Sequence, residues 1–160
     1  MLRLGGSAAV LAVLPLPAFA SGRRSPRLFF DPADVSRIRA TAASPLLSPT
    51  LDAWAVQGPA PARAAIAQVT RTREMIRDFA AALERLTEQG VLHLVDPDAR
   101  REALLLDGID ALLALPRWDY FLEGDMPMGI QRASAATERL LFLREVLGES
   151  LGAGREARLL

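Results

Sequence analysis

Between Ala62 and Gln89 the apolar residues Ile66, Val69, Ile76, Phe79, Leu83 and Leu86 recur at helical spacing, with Arg73 interrupting the row. Residues at that spacing lie on one face of an α-helix, because 3.6 residues complete a turn. Arg71, Arg77, Glu84, Arg85 and Glu88 fall on the other faces and read as a solvated surface. A chain with such a segment must provide a second apolar surface to cover the stripe, and its neighbours provide helices. Gly90 reads as the stop of this long helix.

The segments on either side carry their own start and stop signals. Asp31 reads as an N-cap with Pro32 at the first helical position and Asp34 in the first turn. Phe30 is placed to pack on Val35 as a hydrophobic staple. Val35 and Ile38 share a face, and Pro45 marks the end. Ser48 and Pro49 open a short helix through Val56 that Gly58-Pro59 closes. Val91 to Val95 reads as an apolar link. Asp96-Pro97 then repeats the cap-plus-proline start of a helix to about Leu115, with Ala103, Leu106, Ile109, Leu112 and Leu113 inward and Pro116 as stop.

An aromatic and acidic turn follows, Arg117 to Asp125. Asp125 is the candidate cap of a helix from about Met128 to Leu147. Its apolar face comprises Ile130, Ala133, Ala136, Leu140, Phe142, Leu143 and Leu147, and Gly148 ends it. Gly152 to Leu160 reads as the first turns of another helix, and its uncapped Leu159-Leu160 suggests a truncated chain. No strand-like alternation competes and no hairpin turn dipeptide is recognised, so no strands are expected. The expected fold is all-α, built of antiparallel helical hairpins.

Composition narrows the function classes. All basic residues are Arg, and net charge is zero, so no basic field for nucleic acid is built in. Cysteine is absent, which removes disulfides, thiolate nucleophiles and Cys-ligated zinc. Met1 to Ala20 reads as a secretory signal: Arg3 is the positive n-region, Leu4 to Leu16 the apolar core and Ala18-Phe19-Ala20 a small-x-small cleavage site. The expected organisation is a signal peptide at 1–20, a flexible lead-in at 21–27 and a helical domain at 28–160. Cleavage would leave a periplasmic or secreted protein with no other run able to cross a bilayer.

Few residues carry candidate chemistry. His93 is the only histidine, with no HExxH or comparable spacing, so no metal or cofactor site is expected. It reads as a half-buried linker residue. Glu123 and Asp125 are too close in sequence to straddle a sugar as a glycosidase pair and read as caps. Trp118 and Tyr120, with Phe121, could stack on sugar rings or simply plug the hairpin end. Gln131 and Arg132 sit one turn into the last long helix, and Arg132 could bind a substrate carboxylate bidentately or equally pair with Glu138 or Glu123. The candidate substrate contacts are therefore Trp118, Tyr120, Gln131 and Arg132.

Two stretches carry a family resemblance. PRLFFDPADVSRIRA, following the signal-like segment, resembles the opening of heparinase II/III-like and alginate-lyase-like polysaccharide lyases. ALLALPRWDYFLEGDMPMGIQRASAATERLLFLREVLG is similar to the helix, Trp-containing turn and helix with which that family's α/α toroid begins. The match spans nearly all of Pro26 to Leu151.

The resemblance implies part of an incomplete (α/α) toroid from an exported lyase acting on acidic, uronic-acid polysaccharides by β-elimination. Such a reaction needs a group that neutralises the uronate carboxylate and a base that takes the C5 proton. In the family an Asn and a His or Tyr on later helices do this. This chain has no Asn after residue 20, and His93 and Tyr120 do not sit in that motif. No catalytic residue is carried over, and the β-sandwich expected after the toroid is missing. The fragment is expected to be inactive alone. The rival reading is a non-catalytic exported helical module that binds a protein partner or a glycan.

Overall fold

The computed structural model describes residues 27–160 except Glu74, Arg117, Asp119, Tyr120, Gly124, Gly129 and Ile130; for 121–123, 127–128 and 131–132 it describes the backbone alone. The signal-like segment and the lead-in up to residue 26 lie outside the described residues. The chain is all-α in its core architecture. Its helices are α1 (Val35–Ala42), α2 (Ser48–Gln57), α3 (Ala60–Thr72), α4 (Ile76–Val95), α5 (Ala99–Leu113), α6 (Gln131–Leu147) and α7 (Ala153–Leu159). Two short strands, β1 (Phe121–Glu123) and β2 (Met126–Met128), form an antiparallel hairpin between α5 and α6.

Helix α4 is the axis of the bundle. It packs against α3, α5 and α6, and α1 and α2 also contact it. Its inward residues Ile76, Phe79, Ala82, Leu83 and Leu86 join Val69 of α3, Leu105, Ile109 and Leu112 of α5, and Ala136, Leu140 and Leu143 of α6 in one core. Full burial of each large apolar side chain is worth about 1.5–3 kcal/mol, so this cluster is the main source of stability.

The long periodic segment is two helices rather than one. The break falls at Arg73, the residue that interrupts the apolar row, whose φ is 53°. The second helix then runs through Gly90 and the supposed link to Val95. Gly90 is no stop. It is buried in mid-helix where α6 crosses, and a Cβ there would lie 2.4 Å from Leu143 Cδ2. Glycine here permits close helix approach, and that gain outweighs its poor helix propensity.

Several predicted boundaries shift for similar reasons. Ser48 is the first residue of α2, not its cap, and Leu47 precedes it without a side-chain cap bond. The cap of α5 is Asp98, not Asp96: its carboxylate accepts the Arg101 N–H at 2.8 Å. The cap thus sits after Pro97, and the inward face of α5 becomes Leu104, Leu105, Gly108, Ile109 and Leu112, leaving Ala103 exposed. Pro32 to Asp34 form a single 3-10 turn before α1, with the Asp34 carboxylate accepting the Asp31 N–H at 3.0 Å.

The expectation of no strands fails at the hairpin. Phe121 pairs with Met128 and Glu123 with Met126, leaving Gly124 and Asp125 as the connecting pair. Gly-Asp is a recognised two-residue hairpin connection that the pattern reading passed over. Asp125 therefore lies in the hairpin turn, exposed, and does not cap α6, which starts at Gln131. Gly148 does end α6, at φ 54°, and a 3-10 turn (Gly148–Leu151) leads through Gly152 to α7.

Candidate functional site

The end of the bundle where α5 stops and α6 starts carries Trp118 and the backbone positions of Gln131 and Arg132, three of the four residues singled out for sugar contact. Helix α5 ends at Leu113 and the chain turns at Leu115 and Pro116. Trp118 folds back over that end. Its indole Nε1 donates to the Leu112 carbonyl at 3.1 Å, an oxygen in the last turn of α5 that also accepts the Leu115 N–H at 3.1 Å. The ring meets Phe79 of α4 at 6.1 Å between centroids, tilted by 58°. Trp118 is half-buried, so its donor is spent inside the fold while part of the ring stays open.

From there the hairpin returns the chain to its starting point. Because Phe121 and Met128 are partners, Trp118 and Gln131 stand three residues outside the same pair, on opposite sides. Gln131 and Arg132 are the first two residues of α6. The backbone thus brings Trp118, Gln131 and Arg132 to one end of the molecule. Tyr120 lies outside the described residues, as do the side chains of Gln131 and Arg132. Strand β1 packs against α4, and the α3–α4 break lies just before the α4 turn that carries Phe79.

In the sequence Arg73 stands out only as an interruption of the apolar row, and Glu145 does not stand out. Arg73 is exposed at the α3–α4 break. Glu145 is only 6% exposed, on α6. Its carboxylate accepts the backbone N–H of Leu28, of Phe29 at 3.0 Å and of Phe30 at 3.3 Å. Phe29 and Phe30 meet Phe142 edge-on, at 5.8 and 6.4 Å. The segment before α1 is thereby strapped to α6, and Phe30 is buried there. A carboxylate between Leu143 and Leu147, close to the buried stripe, was the available signal in the sequence.

His93 is not a linker residue: it is buried in the last turn of α4. Its Nδ1 accepts the Asp98 N–H at 3.3 Å, and its Nε2 lies 3.9 Å from Glu102 Oε2. It fixes the α4–α5 turn. Arg39 adds a bond from Nε to the Leu94 carbonyl at 3.1 Å. Beside these lies a cleft of about 230 Å³ bordered by Arg27, Arg39, His93 and Glu145. A larger apolar cleft, about 360 Å³, opens between α1, α2 and the end of α4, lined by Ile38, Leu47, Leu51, Trp54, Val91 and Val95.

The far end of α6 is tied by charge. Arg144, itself buried, donates to Glu156 Oε1 from Nη2 at 2.5 Å. Arg155 and Arg158 of α7 both reach Asp110 of α5, at 2.7 and 3.3 Å. The Asp110 carboxylate, which accepts from Arg155, raises that guanidinium's already high pKa further. At the helix starts, Asp98 is held below its ordinary pKa by the Arg101 N–H. Asp34 is held low first by Arg37, then by the Asp31 N–H.

Among the described residues no group of three or more His, Cys, Asp or Glu side chains is arranged to hold a metal ion, and no helix is long and apolar enough to cross a membrane. Comparison with protein-family models, with curated proteins and with solved structures returns no match to this chain.

Proposed function

We propose that this chain is the N-terminal helical part of an exported polysaccharide lyase that cleaves uronic-acid polysaccharides by β-elimination. On this reading the helical hairpins are the opening of an (α/α) toroid, and the part described contributes sugar contacts rather than the reacting groups. The observation that carries the reading is the unit from Leu112 to Arg132. Its sequence resembles the family's helix, Trp turn and helix, and it folds as an indole pinned on the end of α5, a hairpin and the start of α6. An aromatic residue and an arginine on one such unit would suit a uronate chain, which presents an apolar ring face and a carboxylate on each sugar. The signal-like segment from Met1 to Ala20 supports a periplasmic or secreted location.

The acid–base pair that β-elimination needs belongs, on this reading, to later helices. The test uses the chain alone and joined to whatever reading frame follows Leu160. Both are incubated with a panel of uronate polysaccharides, and the ultraviolet absorbance of the new C4–C5 double bond is followed. The expected result is product from the longer form and none from this chain. Product from this chain alone would overturn its assignment as a non-catalytic part. A longer form inactive on every uronate polymer, or a stop codon directly after Leu160, would favour the stand-alone binding module instead.

A further inference from the structure

We infer that Arg73 is a carboxylate-binding residue for the uronate chain, held at the rim of the Trp118 end by a strained backbone; this rests on the lyase reading above. The starting observation is conformational. Among the described residues, backbone with positive φ occurs at Gly58, Gly148, Gly152 and Arg73. Three of these end or separate helices with glycine, the residue that reaches positive φ without a Cβ clash. The fourth does the same job between α3 and α4 with arginine, at φ 53° and ψ −45°. That conformation is close to a γ-turn of positive φ, which is costly for a bulky side chain.

Packing does not account for the choice. Arg73 is exposed, and the residues that seal the break from within are Val69 and Ile76, both essentially buried. A glycine would serve the turn at lower strain, so what arginine adds is its guanidinium. Strained residues persist where the side chain does something the fold alone does not require. The position fits that role. Ile76 opens α4, and one turn on Phe79 carries the Trp118 ring, so the break and the indole stand at the same end of the bundle. A planar cation and an aromatic face at the same end of the bundle suit the alternation of carboxylate and pyranose ring along a uronate polymer. Arg73 is then a second cation, on a separate element from Arg132.

The experiment compares the unaltered chain with R73G and R73K by calorimetric titration with mannuronate and glucuronate tetrasaccharides and with their methyl esters, alongside thermal melts. The unaltered chain is expected to bind an acid form and to prefer it over the ester. R73G should weaken acid-form binding roughly tenfold, the scale of one charge-assisted contact, and erase the preference over the ester. Its melting temperature should stay level or rise, since the strain is relieved. R73K, which keeps charge but loses the fork, should bind between the two. Undiminished binding by R73G overturns the assignment of Arg73 and leaves the lyase reading standing. A fall of several degrees in the R73G melt shows that the arginine serves the fold and overturns the inference by a second route. An unaltered chain that binds neither acid form overturns the inference together with the sugar-contact role given to this part of the lyase.

Discussion

Gly90 and Gly108 both sit where a side chain of a neighbouring helix comes close, and they differ in how much a methyl group would cost. A Cβ at Gly108 would meet both methyls of Leu86, at 2.4 and 2.8 Å, and Ile66 Cδ1 at 3.1 Å. A Cβ at Gly90 would meet one Leu143 methyl at 2.4 Å and Phe142 Cε1 at 3.4 Å. With one methyl in the way, Leu143 can swing aside; with both in the way, Leu86 has little choice of rotamer. Overpacking typically costs about 1–3 kcal/mol, against about 1 kcal/mol gained in helix propensity. Gly108→Ala should therefore destabilise by about 1 kcal/mol and Gly90→Ala by less, measured as urea midpoints. A stabilised Gly108→Ala would show that α4 and α5 do not approach as closely as described.

At this scale the sequence is legible where a residue's own chemistry decides its conformation, and less so where a neighbour decides. Gly58 and Gly148 mark helix ends by an intrinsic preference for positive φ. Gly90 looks like an end in the sequence because its partner, Leu143, lies far along the chain. Asp98 was passed over for Asp96 because Asp-Pro is a familiar start, although the carboxylate that meets the Arg101 N–H is the one after the proline.

Among elements, the strap before α1 depends on a single side chain. Glu145 receives three consecutive N–H groups of a segment with no strand or helix to satisfy them. Removing a buried acceptor leaves its donors unpaired, at about 1–3 kcal/mol. Glu145→Ala should lower stability by that amount and sharply raise hydrogen exchange at the Leu28, Phe29 and Phe30 amides, while amides in α4 keep their order of protection. Unchanged exchange at those amides would rule out the strap. Helix types and most helix ends were legible from periodicity and punctuation; the hairpin was not. Its strands are three residues each, too short to display an alternation, and only the Gly124-Asp125 pair could have announced it. The candidate site was legible as a cluster in sequence, but not the inward commitment of the Trp118 indole to Leu112.

For the whole molecule, acid should be felt through the helix starts. Asp34 and Asp98 both have pKa values below the ordinary 3.8 in the folded chain. A carboxyl with a depressed folded pKa stabilises the fold fully above its unfolded value, and that contribution is lost as pH falls through the folded one. The melting temperature should thus hold level toward neutral pH and drop below about 3.8. The double variant D34N/D98N should flatten that drop, since Asn can still cap but does not titrate. An equally steep acid limb in the double variant would assign the loss to other carboxylates.

The bond from Leu28 to Glu145 joins residues 117 apart in the chain. Closing so long a loop carries an entropic cost that returns little until α6 already lies against α4. In a chain emerging from its N-terminus, the carboxylate that holds the strap is made long after the strap itself. Residues 28–30 therefore have nothing to fasten to until α6 is in place, and the strap joins the bundle only after helices α1 to α5 have been made.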